Sequence, residues 1–363
     1  MTIGSVEAIV LSLPFDIGGP KPLFAGKPRN MDILLVRVET DSGLVGWGEA
    51  FGFAVWPATR VALDVLVAPL AIGRDERDIA GLMAELQKKL HLLGRTGPVM
   101  YALSGLDIAL WDIAGKKQNR PLVELLGGPH RMRLPTYASL LRYGDPELVA
   151  KNAARAVARG FRAIKLHEIT EPAVRAAREA IGPDVQLMVD TNCPWTLDEA
   201  RAVAASIRPH DIYWFEEPIW PPEDYPALAK LRLDAGMPIA AGENATSFND
   251  FERMLDAGAV DIVQPSVTKI GGVTEMKRIA RLATVRRTRF VPHSPYFGPG
   301  LLATVHIAAA LRDETMIEYS FADLGANPLG DAIEVVDGDI AVPEGPGLGR
   351  DPDPAIIARY RVE

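Results

Sequence analysis

Three acidic residues each close an apolar run: Asp190 in LMVDTN, Glu216 in YWFEEP and Glu243 in AAGENA. If these runs are successive parallel strands, all three carboxylates arrive at one rim. Carboxylates so gathered repel one another and call for a cation. An all-oxygen donor set favours Mg²⁺, with water and substrate filling its remaining positions. One acid after a strand is commonly a helix cap or an ion-pair partner; three at matched phase point to a metal. Glu217, beside Glu216, is expected to pair with a cation or to orient its neighbours.

Proton-transfer groups occur at similar phase. Lys165 and His167 in RAIKLHEI are two apart, so as strand residues they point to the same face and toward the same mouth. A lysine close to other cations has a lowered pKa and can act as a base, and a histidine titrates in the useful range unaided. His293, in RFVPHSPYFGPG, would stand across the mouth. That arrangement suits abstraction on one face and proton delivery on the other. Glu318, in TMIEYS, is expected to be neutral among other acids and so to donate a hydrogen bond to a developing enolate. Lys21, Lys27 and Arg29 are candidates for the distal end of an anionic substrate, and Asn192 and Lys269 for substrate contacts at the mouth. His91, His130, His210 and His306 fall on helices or linkers and read as structural or surface residues.

The elements that would position these groups are legible as a rhythm. After Pro135, short β-rich runs alternate with Ala-rich amphipathic helices every ~25 residues, about one strand plus one helix. Strand ends fall near Tyr137, Lys165, Asp190, Glu216, Glu243, Gln264, His293 and Glu318. The pattern predicts helices over 146–159, 172–181, 197–207, 249–257, 272–286 and 300–311. Eight such units make a parallel barrel, whose chemistry sits at the C-terminal mouth. Upstream, 6–13, 33–40 and 44–48 read as antiparallel strands, 57–126 as helices, and the Gly- and Pro-rich segment 15–30 as a flap. The expected division is a capping α+β domain at 1–128, a barrel at 129–325, and a segment at 326–363, with a β pattern at 333–342, running back over the cap.

Composition narrows the partners. The chain has 363 residues, 48% apolar and 24% charged, with a formal net charge of −8. That suits a globular protein of two domains or a capped barrel, and argues against nucleic acid, which wants clustered Lys and Arg. One cysteine, Cys193, excludes a disulfide within the chain and fits a reducing cytoplasm. The start, MTIGSVEAIVLSLPF, lacks the basic region and cleavage site of a signal peptide, and no apolar run is read as approaching the ~20 residues that cross a bilayer.

The motifs LLVRVETDSGLVGWGEA, SGLDIALWDIAGKKQNRPLVELLGG, FRAIKLHEI, VDTN, FEEP, GEN, VQPSVTKIGGVTE and PHSPYFGPG together resemble the enolase superfamily, within it the mandelate racemase branch, over nearly the whole length. The resemblance implies a (β/α)₇β barrel with an N-terminal cap, Mg²⁺ on Asp190, Glu216 and Glu243, removal of the proton next to a carboxylate by a Lys or His base, and a homo-oligomer. Two departures stand out. The second lysine of the family's K-x-K pair is His167, and the acid that usually supports the seventh-strand histidine is Ser266. Gln264 also stands where the lactonizing-enzyme branch has a second lysine. A racemase needs two competent bases, so these departures favour dehydration of an acid sugar or other hydroxy-carboxylate. Racemisation or epimerisation, an aldolase using the same enolate, and a non-catalytic carboxylate-binding barrel are the competing readings.

Overall fold

The computed structural model describes residues 1–362. Its first layer is an antiparallel sheet of β1 (Ile3–Leu13), β2 (Met31–Thr40) and β3 (Val45–Ala50). The run ILLVRV in β2 is apolar on both faces because both are covered. Leu34, Val36 and Val38 pack with the helices α1 (Ile79–Lys89) and α2 (Pro98–Gln118), whereas Ile33 and Leu35 join the core shared with the barrel. Helix α2 lies on β3 so closely that a Cβ on Gly48 would come within 1.9 Å of the Gly105 carbonyl oxygen. The glycines of GWGEA are thus a packing requirement.

The barrel strands are β4 (Arg133–Ser139), β5 (Ala163–Leu166), β6 (Gln186–Asp190), β7 (Ile212–Glu216), β8 (Ile239–Ala241), β9 (Ile262–Val263), β10 (Arg289–Phe290) and β11 (Ile317–Ser320). Parallel ladders join β4 through β10 in sequence order, and β11 pairs with β4. The helices between them are α3 (Pro146–Ala158), α4 (Glu171–Ile181), α5 (Leu197–Ile207), α6 (Tyr225–Asp234), α7 (Phe248–Asp256), α8 (Gly272–Arg286) and α9 (Pro299–Ala309). This is the expected (β/α)₇β barrel with an α+β cap. Helix α6 is the element absent from the sequence reading. It starts within a Pro-rich segment that reads as a turn, with Asp224 capping the Ala227 N–H. Tyr137, Ala163, Met188, Trp214, Ala240, Ile262 and Val291 plug the barrel interior.

Cap and barrel are joined by buried acids at helix starts. Glu49 of β3 accepts from the Gly300 N–H in α9 at 2.8 Å, and Asp107 of α2 accepts from the Thr274 N–H in α8 at 3.0 Å. Burial pushes Glu49 up to about 8 and Asp107 up to about 7, against the amide donors that favour their charged forms.

Two stretches depart from expectation. The β pattern at 333–342 forms the hairpin β12 (Val335–Val336) and β13 (Asp339–Ala341), and β13 pairs with β4 of the barrel, not with the cap. The cap instead gains β14 (Arg361–Val362), which pairs with β1. Residues Phe53–Ala71 form one helical run of mean hydropathy 1.4, long and apolar enough by composition to cross a membrane. The sequence reading takes 57–126 as helical but finds no bilayer-length apolar run there, because Arg60 and Asp64, 3.6 Å apart, interrupt the apolar pattern. Its Ala62, Leu63, Val67 and Ala71 are buried in the cap core.

Candidate active site

The three acids stand at the C-terminal ends of neighbouring strands because the ladders are in register. Asp190 of β6 is the direct partner of Glu216 of β7, and Glu216 that of Ala240 in β8, three residues before Glu243. The glycine of GEN is held at φ +147°, with a Cβ there 2.7 Å from the Gln264 N, so neighbouring backbones approach closely beside Glu243.

Lys165 is wholly buried and lies at the centre of the acids. Its Nζ is 2.8 Å from Glu216 Oε1, 2.9 Å from Glu318 Oε1 and 3.2 Å from Asp190 Oδ2. Burial alone would lower the Lys165 pKa, but Glu216, Glu318 and Asp190 hold it well above the ordinary lysine value. The lowered pKa expected of a lysine beside a metal and a second cation is not what these acids by themselves produce. Lys165 is a buried cation among carboxylates, and it does not line the cavity above.

That cavity, of about 580 Å³, lies between the barrel mouth and the cap. His167, Asn192, Glu243, Lys269, His293, Glu318, Ser139 and Ser320 form its polar side. Phe24, Met31, Phe51, Phe53 and Val55 from the cap form its apolar side. Of the three flap cations, Arg29 lines it and Lys21 and Lys27 do not. Arg29 lies over the Phe53 ring, and Lys269 over the Phe51 ring at 4.5 Å.

His167 Nδ1 is 2.5 Å from the Leu140 carbonyl oxygen. A carbonyl only accepts, so Nδ1 carries a proton; Nε2, on the cavity side, lies 3.2 Å from Asp190 Oδ2, a carboxylate acceptor, and is the donor in that contact. Burial pulls the His167 pKa down, but the Asp190 charge and hydrogen bond outweigh it and raise it. Across the cavity, His293 Nε2 is 2.6 Å from Glu243 Oε2. Its Nδ1 is buried without a partner. Ser266, at the position of the family's supporting acid, is hydrogen-bonded to the Tyr296 hydroxyl instead.

The surroundings of Glu318 likewise differ from those expected of a neutral acid. Burial would raise its pKa, yet Lys165, His293 and the Ser139 hydroxyl hold it below the usual carboxylate value. It accepts from Ser139 Oγ at 2.7 Å and the Ser294 N–H at 3.1 Å, contacts that favour its ionised form. Asp190 and Glu243 are likewise held low: burial opposes this, and Lys165 and His167 around Asp190, and Lys269 and His293 around Glu243, overcome it. Burial drives Glu216 well up. Its Oε2 accepts from Trp214 Nε1 and Gln264 Nε2, so Gln264 serves as a neutral donor. Glu217 finds no cation at bonding distance; it accepts from Asn244 Nδ2 at 2.5 Å, and burial pushes it up to about 8. Asn192 donates to Asp190 Oδ1, and Lys269 to the Glu243 carbonyl.

Among the described residues, no three Asp, Glu, His or Cys side chains are gathered as a ready metal cage. Asp190 and Glu216 turn to Lys165, and Glu243 to His293. The donor set nonetheless fits Mg²⁺. Four buried acids (Asp190, Glu216, Glu217, Glu318) and the partly buried Glu243 meet only two lysines and two histidines there, and the three at the strand ends offer hard oxygens. Ser139, Ser320 and Tyr296 went unnoticed in the sequence. Ser139 and Ser320 are register partners at the ends of β4 and β11, and only barrel closure brings those strands together.

Residues 148–356 match the family Enolase C-terminal domain-like, and residues 6–127 match Mandelate racemase / muconate lactonizing enzyme, N-terminal domain. The chain is 35% identical to D-galactarolactone cycloisomerase of Agrobacterium fabrum over 351 residues, covering 91% of each chain. It is 34% identical to arabinonate dehydratase of Saccharolobus solfataricus, again over 91% of each. The crystal structure of the 3,6-anhydro-D-galactonate cycloisomerase from Zobellia galactanivorans superposes with a TM-score of 0.87 at 32% identity, covering 100% of both chains. Enzymes of this superfamily generally use Mg²⁺. The chain belongs to the mandelate racemase / muconate lactonizing enzyme family of the enolase superfamily.

Proposed function

We propose that this enzyme removes the α-proton of an acid-sugar carboxylate and expels the β-oxygen, so that a hydroxy acid loses water. The observation that carries the reading is that His167 and His293 line one cavity, with Glu318 between them, directly beside the strand-end acids. Asp190, Glu216 and Glu243 are the residues that would hold Mg²⁺. When bound, the ion supplies Lewis-acid stabilisation of the negative charge that grows on the substrate carboxylate.

His167 is the base. Its Nδ1 is committed to Leu140, so Nε2, once it has given up the proton it shares with Asp190, takes the α-proton. His293 presents Nε2 to the opposite side and delivers a proton to the departing hydroxyl, which leaves as water. With Nδ1 unsupported and Ser266 bound to Tyr296, His293 suits an acid better than a second base. That disfavours racemisation. Lys165 and Glu318 fix the charge around the site: Lys165 offsets three acids, and Glu318, ionised and anchored by Ser139, faces the cavity as an acceptor for substrate hydroxyls. Lys269 and Asn192 flank the carboxylate position, and Arg29 with the Phe51 and Phe53 rings meets the distal end.

A second reading is favoured by the cycloisomerase relatives. The same proton abstraction acts there on a substrate whose leaving oxygen is part of a ring. The oxygen then stays attached, and the product is an isomer of unchanged mass. Incubation of a panel of sugar acids and their lactones with Mg²⁺ in D₂O, read by mass spectrometry, tests both. Loss of water supports dehydration, deuterium incorporation at constant mass otherwise supports ring opening, and no exchange with any acid sugar overturns the enolate reading.

A further inference from the structure

A second large cavity opens at the other end of the same strands. It measures about 570 Å³ and is lined by Arg131, Arg133, Pro135, Gln186, Tyr213, Arg289, Val291, Glu314, Thr315 and Met316. Arg133, Gln186 and Arg289 begin β4, β6 and β10, whose far ends lead to Ser139, Asp190 and His293 at the active site. The plug around Trp214 and Tyr137 separates the two cavities.

The lining is unusual for a chain of net charge −8. It brings three guanidinium groups together against two acids, Glu314 in the lining and Asp339 beside Arg133. The contacts of these arginines orient them and leave the cluster net positive, with Arg131 and Arg289 bound only to neutral groups. Arg131 donates to the carbonyls of Leu311, Arg312 and Asp313. Arg289 donates to the Tyr213 hydroxyl at 2.6 Å and stacks on its ring. Arg133 donates to the Val336 carbonyl, with Asp339 at 3.6 Å. Carbonyls and a phenol hold a guanidinium in place but do not neutralise it. Pre-oriented forks of this kind match planar or tetrahedral oxyanions. Val291, Met316 and Pro135 supply an apolar floor.

We propose that this cavity at the N-terminal end of the barrel is a second binding site, for a small dianionic oxyanion. The shared chemistry is two negative charges on oxygen, as in a phosphate monoester or a short dicarboxylate. Arg131, Arg133 and Arg289 take the anion, and the apolar floor takes its carbon body. The site is distinct from the catalytic cavity, which lies across the plug.

Isothermal titration of the full chain with inorganic phosphate and, separately, with succinate, at constant ionic strength, tests this. Saturable binding of at least one anion is expected, and the anion that binds identifies the source. Arg289→Ala and Arg133→Ala should each weaken it about tenfold or more, with turnover of the acid-sugar substrate unchanged. Arg133 is half exposed, so its loss does not threaten the fold. Arg289→Lys should recover only part of the affinity, because an ammonium lacks the fork. Absence of saturable binding by both anions overturns the proposal. So does binding that is equal in wild type and both alanine variants, since the anion then sits elsewhere.

Discussion

His167 and Leu140 are joined by a 2.5 Å hydrogen bond from the ring Nδ1 to the main-chain oxygen. This contact orients the ring and selects its tautomer, leaving Nε2 for chemistry, whereas Lys165, two residues earlier, is enclosed by Glu216, Glu318 and Asp190. His167→Asn should therefore lower kcat by about 10²–10⁴-fold and abolish α-proton exchange, with little change in thermal stability. Exchange into D₂O followed by NMR checks it; a His167→Asn enzyme that still exchanges the proton would rule out the assignment.

Lys165→Met should fail for a different reason. It removes the cation shared by three buried acids, and breaking such a cluster typically costs about 3–5 kcal/mol. The expected outcome is a large drop in unfolding free energy, measured with urea in the absence of added divalent ions. A variant as stable as wild type would show that the acids do not depend on this lysine.

Chelation should abolish turnover, and Mg²⁺ should restore it. Because the ion binds the folded chain, it should also raise the melting temperature in a concentration-dependent way. Asp190→Asn should remove that stabilisation. Differential scanning fluorimetry across a Mg²⁺ titration reads this without any substrate, and a flat melting temperature in wild type would count against a metal at these acids.

The contact between cap and barrel should weaken as pH rises. Glu49 is buried against Gly298 and Gly300, and burial raises it to about 8. Between the ordinary glutamate value and about 8, the folded state binds more protons at this position than the unfolded state does. Unfolding free energy therefore falls with rising pH across that window, and the stability is fully present only below it. Glu49→Gln keeps an acceptor for Gly300 and removes the titration. Its urea-unfolding free energy should decline less than that of wild type between about pH 5 and about pH 8. Parallel pH profiles would sink the idea.

Arg29 is the flap cation that reaches the cavity, stacked on Phe53. Arg29→Ala should raise KM by roughly tenfold for a substrate with an anionic or hydroxylated distal end, with a smaller effect on kcat, since this contact is remote from the reacting carbons. Lys27→Ala, outside the cavity, serves as the comparison and should leave both constants near wild type.

The barrel and the phase of its acids were open to reading because both are local. Strand-and-helix alternation is written in hydrophobic periodicity, and a side chain's face follows from counting by two along a strand. That is enough to place Asp190, Glu216, Glu243, His167 and His293 at one mouth. It was not enough for helix α6, whose start in a Pro-rich segment looks like a turn, nor for the hairpin at 335–341, which carries the same β pattern whether it covers the cap or the barrel.

Protonation and depth were decided by the tertiary structure. Lys165 and His167 share a face in sequence, yet one is sealed beneath the cavity by three acids from three other strands and the other opens into it. Glu318 is held toward its ionised form because Lys165 and Ser139 reach it across a barrel closure that joins residues nearly 180 positions apart. Charge state depends on the sum of all near neighbours through a low-dielectric interior, and those neighbours are set by closure of the sheet. Residue type and spacing along the chain carry the chemistry a site can offer; which atom holds the proton is settled only when distant strands meet.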